Sequence, residues 1–350
     1  MFDVLLLLAS FALAWLLTYA MRQFALRKNL IDIPNERSSH KVATPRGGGA
    51  AIVLTFSGLL LVLLALGSIT AKVACALVLG GGVVAVAGFM DDRSSLSPRV
   101  RLLAHGSAAL LAVLLLGAVP GLPMPGGFWS WAWLGFPLSV VGVIWCINLY
   151  NFMDGIDGIA AVEAVCIALG AQWALLVAGG GASPLLLGWA AASGGYLYWN
   201  WPPARIFMGD VGSGWLGFMV AAFMLVMAPL GLNAWVWLIL FAVFVVDADW
   251  TLIVRWRRGE KLSDAHRNHS YQKASRRHGG HKPVTVAVLL INVFWLWPLA
   301  AAASRYPAQG LWLALLAILP LLYLAARYRA GVPDAASPPT TAVSVATENP

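Results

Sequence analysis

The feature that most constrains this chain is a succession of apolar runs, each about as long as a bilayer is thick. A helix crosses the hydrocarbon core in about 20 apolar residues. Eleven such runs follow one another, over residues 2–21, 49–67, 71–90, 102–119, 134–151, 158–179, 184–200, 211–230, 233–254, 284–303 and 309–327. Only 11% of the 350 residues are charged, 60% are apolar, and the mean hydropathy is +0.78. A soluble globule cannot hide that much apolar surface. A soluble enzyme, a disordered protein and a secreted disulfide scaffold are therefore excluded. The expected fold class is an all-α polytopic membrane protein of about eleven transmembrane helices. Cys75, Cys146 and Cys166 lie inside apolar runs. They read as small buried hydrophobes, neither bridges nor metal ligands.

The placement of charge predicts an orientation. No Ala-x-Ala-like cleavage site follows the first run; Arg22, Arg27 and Lys28 follow it, as they would a retained helix. Eleven crossings put the termini on opposite sides. With that count, 21 of the 23 basic residues fall in loops on one side, and only Lys72 and Arg305 fall on the other. The positive-inside rule makes the basic side cytoplasmic, with the N-terminus outside and the C-terminus inside. One multi-helix membrane domain is expected over residues 1–330. Its cytoplasmic loops are 22–48, 91–101, 148–157, 200–210 and 255–283. Residues 331–350, rich in Pro, Ala, Ser and Thr, are expected to form a disordered cytoplasmic tail. Pro120 to Phe136, with Trp129, Trp131 and Trp133, reads as an outer loop with interfacial aromatics. The net charge of +8 is thus topology plus an anionic ligand, and not a nucleic-acid footprint.

Eleven of the 15 acidic residues share the basic side. Carboxylates beside many Arg and Lys suit an anion together with a divalent metal, since Mg²⁺ takes one or two carboxylates and completes its shell with phosphate and water. Five segments carry this pattern. Gly88-Phe89-Met90-Asp91-Asp92-Arg93 puts paired acids at the exit of the third run, where they are costly unless a cation or metal answers them. A solvated helix end is the plain alternative. Asn148, Asn151 and Asp154 recur at three-residue spacing, on one face if helical, and Asp157 continues the series between Gly155 and Gly158. An EF-hand loop is excluded there, because the long ligand series and closing Glu are missing. Phe207-Met208-Gly209-Asp210-Val211-Gly212-Ser213-Gly214 places an acid among glycines just before an apolar run. Such a turn can offer backbone N–H groups to phosphate, although small residues also serve helix packing. The loop from Arg255 to Lys282 holds nine basic residues and four of the six histidines, His266 and His269 being three apart. Without Cys or HExxH partners, phosphate binding is a better reading than zinc. The fifth segment runs from Asp32 through His40 and Lys41 to Thr44-Pro45-Arg46-Gly47-Gly48-Gly49.

In this order, from about Leu30 to Lys282, the five segments resemble the polyprenyl-phosphate N-acetylhexosamine-1-phosphate transferases. That family (glycosyltransferase family 4) includes the enzymes that begin O-antigen on a lipid carrier and the translocase that makes peptidoglycan lipid I. The resemblance implies an Mg²⁺-dependent phosphotransferase, with Mn²⁺ as a substitute. Undecaprenyl phosphate would attack the β-phosphorus of a UDP-N-acetylhexosamine and release UMP. It further implies a bacterial inner-membrane protein whose site faces the cytoplasm, and a homodimer. By matching motif, Asp210 is the implied metal-binding aspartate and Asn151 assists it. Asp91 and Asp92 match the paired aspartates, where positioning is favoured over base catalysis, because a phosphate monoester is mostly ionised at pH 7. His266, Arg267 and His269 match the loop that holds diphosphate and sugar. Asn148, Asn151, Asp154 and Asp157 order substrate, and Lys41, His40 and Arg46 contact carrier phosphate.

Some members carry a third acid where this chain has Ser95. The lipid I translocase shows consecutive histidines, where this chain reads His266-Arg267-Asn268-His269, and a different residue at Arg46. These departures favour the O-antigen-initiating branch, with UDP-GlcNAc, UDP-FucNAc or UDP-QuiNAc as donor. The rival classes are lipid I synthase and a transporter of an anionic solute. A transporter would place polar groups near the bilayer midplane.

Overall fold

The computed structural model describes residues 2–34, 39–40, 42–119, 121–262 and 266–334. It is an all-α polytopic membrane protein. The apolar runs fold, in chain order, as α1 (Phe2–Arg27), α2 (Gly49–Ala65), α3 (Ala71–Ser94), α4 (Pro98–Leu116), α5 (Gly135–Met153), α6 (Ile159–Val177), α7 (Pro184–Asn200), α8 (Asp210–Met227), the pair α9 (Ala234–Leu240) and α10 (Ala242–Arg257), then α12 (His281–Arg305) and α13 (Gly310–Arg327). Between α10 and α12 lies a short polar helix, α11 (Ser270–Arg277). Among the described residues, eight helices are long and apolar enough to cross a membrane, and the pair α9–α10 makes a ninth. Helices α2 and α7, at 17 residues each, are about 25 Å long, a little short of the roughly 30 Å core.

One expected crossing is not straight. The run 233–254 breaks at Phe241, and its halves are bent by 76°. No Pro or Gly marks the break. Phe241 is buried there, 5.8 Å from the ring of Tyr150 and 5.9 Å from that of Phe244. Tertiary packing of aromatic rings holds the bend.

Helix α8 is the centre of the bundle: 83% of its span is buried, against 17% for α1 and 22% for α4. Small residues let its neighbours come close. A Cβ added at Gly212 would lie 2.6 Å from the Gly49 Cα, and one at Gly88 would lie 2.4 Å from the Asp210 carbonyl oxygen. The glycines of the opening loop and of α3 therefore seat α2 and α3 against the start of α8.

Two small antiparallel ribbons complete the fold. Strand β1 (Ile31–Asp32) pairs with β2 (Thr44–Pro45), Asp32 opposite Thr44. Strand β3 (Gly121–Met124) pairs with β4 (Gly127–Ser130), so the Trp-bearing outer loop is a hairpin with Trp129 and Trp133 exposed. The start of the expected tail is docked. The Gly331 N–H donates to the Asn268 carbonyl, and Asp334 pairs with Lys273 and Arg276. Residues 335–350 lie outside the described residues.

Candidate active site

The site is built on the N-terminus of α8. Gly209 precedes it with φ +75°, a left-handed conformation that suits glycine. A Cβ there would also lie 2.5 Å from Asp92 Oδ2. The turn leaves the Asp210 and Val211 N–H groups open, and Asp92 on α3 accepts both, at 2.9 and 3.2 Å. A carboxylate at this position also complements the helix dipole. The segment 45–49 runs beside 207–208 through backbone hydrogen bonds from Phe207 to Pro45, Gly48 to Phe207 and Gly49 to Met208. That register delivers Arg46, whose Nε lies 2.8 Å from Asp92 Oδ1 and whose Nη2 lies 3.2 Å from Asp210 Oδ1. Burial works against the Arg46 cation, but Asp92, Asp210 and Asp32 outweigh it and raise its pKa further. From the last turn of α5, Asn151 Nδ2 donates to Asp210 Oδ1 at 3.0 Å and to Ser213 Oγ at 2.8 Å.

Beside this cluster opens a cleft of about 210 Å³, lined by Arg46, Asn151, Asp154, Asp157, Asp210 and His281 among others. Helix α5 ends at Met153, so Asn148 and Asn151 are helical while Asp154 and Asp157 lie in the loop beyond. Among the described residues the Asp154 carboxylate has no hydrogen-bond partner. Burial, with Asp210 close by, pushes it well above the usual carboxylate range. Asp157 is structurally committed: its carboxylate accepts the Ala204 N–H at 3.0 Å and pairs with His281 Nδ1 at 3.1 Å. His281 Nε2 reaches the Ser39 carbonyl at 3.1 Å, and His40 lies across the cleft edge-on to Phe207. Lys41 lies outside the described residues.

Asp91 has partners different from those of Asp92, although it too lies close to the Asp210 carboxylate. It pairs with Arg101 at 3.0 Å and accepts the Leu96 N–H. With Asn148, His105 and Asp210 it lines a narrower hollow between α3, α4 and α5. Asn148 Nδ2 is turned back on the Ile144 carbonyl at 2.7 Å. Neither paired aspartate is a free base, since cations and backbone N–H groups hold both.

The histidine loop does not line the cleft. The His266 and His269 rings are tilted against each other with centres 5.0 Å apart, and Arg267 is exposed. Burial, then His269 and Arg255, push His266 down to about 4, so it is neutral at pH 7. His269 is buried, its Nδ1 3.3 Å from Asp247 Oδ1. Asp247 also accepts the Ser270 N–H at 2.8 Å, the Tyr271 N–H at 2.9 Å and the Ser270 hydroxyl at 2.5 Å. It caps α11 and fixes the loop. Tyr271 then donates its hydroxyl to the Phe152 carbonyl at 3.0 Å, and Gln272 lines the cleft. The loop thus touches the site through α11.

Asp247, Gln272 and His281 are the site residues that sequence reasoning misses. Asp247 carried a signal, because an acid inside an apolar run is costly without a purpose. His281 carried none, since its partners Asp157 and Ser39 are more than a hundred residues away.

The donor set suits a hard divalent cation. Asp154 and Asp210 both line the cleft, and so does Asn151, whose carboxamide oxygen accepts no hydrogen bond among the described residues. Among the described residues no three His, Cys, Asp or Glu form a ready metal cage.

The model of glycosyl transferase family 4 matches residues 74–228. That span includes Asp91, Asp92, Asn148, Asn151, Asp154, Asp157 and Asp210, and leaves Arg46 and the histidine loop outside. The chain is 27% identical over 320 residues to a probable undecaprenyl-phosphate N-acetylglucosaminyl 1-phosphate transferase of Bacillus subtilis, covering 88% of this chain and 86% of the relative. It is 28% identical over 330 residues to a decaprenyl-phosphate N-acetylglucosaminephosphotransferase of Mycolicibacterium smegmatis, covering 85% and 79%. A phospho-N-acetylmuramoyl-pentapeptide-transferase of a Synechococcus species is 30% identical, over 49% of this chain and 51% of the relative.

Proposed function

We propose, for a chain that belongs to glycosyl transferase family 4, that it transfers N-acetylhexosamine 1-phosphate from a UDP-sugar to a polyprenyl phosphate and releases UMP. Its product begins a lipid-linked glycan such as O-antigen. The observation that carries this reading is the cluster of Arg46, Asp92, Asn151 and Asp210 at the head of the most buried helix, beside an acid-rich cleft. The likeness to the N-acetylglucosamine phosphotransferases spans 85–88% of the chain, whereas the pentapeptide-transferase matches cover half to two thirds of it. This favours UDP-GlcNAc as donor over lipid I synthesis. Transport is disfavoured, because the acids and arginine of the cleft gather at one end of the bundle and not at its middle.

In the reaction a carrier phosphate oxygen bonds to the β-phosphorus, and the bond from that phosphorus to the UMP oxygen breaks. The nucleophile is mostly ionised at pH 7, so no protein base is required. That agrees with Asp91 and Asp92 both being held by arginines. Asp92 positions the start of α8 and Arg46. Arg46 stands ready to meet phosphate oxygens from its place between two acids. Asp210, with Asn151, would hold Mg²⁺ or Mn²⁺, which neutralises diphosphate charge in such transfers. The basic side faces the cytoplasm of a bacterial inner membrane, where the nucleotide sugar is available.

The test uses purified protein with undecaprenyl phosphate, UDP-GlcNAc, UDP-FucNAc or UDP-QuiNAc, and Mg²⁺, and follows UMP. Release with one sugar, its loss on chelation, and a fall of at least about a hundredfold in Asp210→Asn support the reading. Full activity in Asp210→Asn overturns the metal assignment. Solute flux into proteoliposomes without UMP release overturns the enzyme.

A further inference from the structure

On the basic face an apolar trough and a basic pocket meet at Tyr328. The trough, about 330 Å³, lies between α10, α12 and α13 and is walled by Val246, Val288, Ile291, Leu321 and Leu324. The pocket, about 290 Å³, is lined by Lys273, Arg277, Arg327 and Arg329 together with the Asp334 carboxylate. Tyr328 lines both, and its hydroxyl is 2.9 Å from His278 Nε2. Lys273 is paired with Asp334. Among the described residues, Arg277, Arg327 and Arg329 form no ion pair.

Helix α11 separates this region from the reaction cleft. Gln272 lines the cleft, Tyr271 and Ala274 line the trough, and Lys273 and Arg277 line the basic pocket. A carrier phosphate that reacts must reach the Asp210 cleft, on the far side of α11. A cationic triad beside an apolar groove instead matches a resident amphiphile with an anionic head and a hydrocarbon chain. We propose that this is a binding site for an anionic phospholipid, its phosphate on Arg277, Arg327 and Arg329 and one acyl chain in the trough. The lipid would brace α11, which forms one wall of the cleft.

The test is native mass spectrometry on delipidated full-length protein. The probes are phosphatidylglycerol, phosphatidylcholine with the same chains, and undecaprenyl phosphate. Phosphatidylglycerol binds wild type more tightly than phosphatidylcholine. In the triple variant Arg277→Gln, Arg327→Gln, Arg329→Gln its affinity falls about a hundredfold, roughly fivefold per arginine. Ala287→Trp, which fills the trough from an exposed position, weakens both phospholipids. Unchanged unfolding temperatures without lipid show that the variants fold. The proposal is overturned if the triple variant keeps its preference for phosphatidylglycerol. It is also overturned if undecaprenyl phosphate alone loses affinity in that variant, since the groove would then be the carrier's. Neither outcome depends on the transferase activity.

Discussion

At the scale of single residues, the acids of the cleft differ in what they are free to do. Asp92 is bonded to backbone N–H groups and to Arg46, Asp157 to a backbone N–H group and to His281, Asp210 is shared between Arg46 and Asn151, and Asp154 has no partner among the described residues. Asp154 therefore bears the electrostatic cost of the site. Its pKa is raised in the folded protein by burial and by Asp210. An acid raised in this way keeps a proton that the unfolded chain has released, so stability is lost as pH climbs above the ordinary carboxylate range. Asn at 154 escapes that cost. Asp154→Asn should unfold roughly 1–3 °C higher than wild type at neutral pH, with the gain shrinking towards about pH 4, while UMP release falls. Thermal melts across pH check this, and a variant less stable at every pH would refute it. Sequence spacing suffices to find Asp154, as one of a polar series after an apolar run. It cannot separate the committed acids from the open one, because the distinguishing partners, such as Ala204 and His281 for Asp157, are far away in the chain.

At the scale of elements, the sequence reads well where a single segment decides its own structure. Apolar length alone marks the eight long helices and the bent pair, and the glycines around Asp210 mark a close approach to the head of α8. It reads poorly where two segments decide together. The 76° break between α9 and α10 has no Pro or Gly to announce it and depends on Phe241 packing against Tyr150 and Phe244. Helix α11 is a second case. Its eight mostly polar residues would be marginal alone, and Asp247, reaching from α10, supplies the acceptors for its first N–H groups. Asp247→Ala strands those donors and the His269 ring, at about 2–4 kcal/mol. Hydrogen–deuterium exchange should then quicken over residues 266–277 and far less in α8. Equal protection in variant and wild type would mean that α11 is held by something other than its cap.

At the scale of the whole molecule, one-sided charge and the assembled cleft make a single argument. Arg46, Asp92, Asp154, Asp210 and His281 come from five stretches of chain, and the bundle gathers them at the end that carries nearly all of the basic residues. If positive charge sets orientation, the same residues that hold loops inside also place the cleft where nucleotide sugars occur. The two facts are separable by experiment. Alkaline phosphatase fused after Lys261 should be inactive and a fluorescent protein at the same point bright, with the opposite pair of results after Thr70. A periplasmic signal after Lys261 would put the cleft outside, away from UDP-sugars. The donor would then have to change even if the residue geometry stood. Agreement at both points would fix an odd number of crossings between them, which residues 71–257 meet with α3 to α8 and the bent pair α9–α10 counted as one span. That count is the sharper part of the test. Treating the bent pair as a re-entrant loop gives an even number, and both fusions would then report the same side.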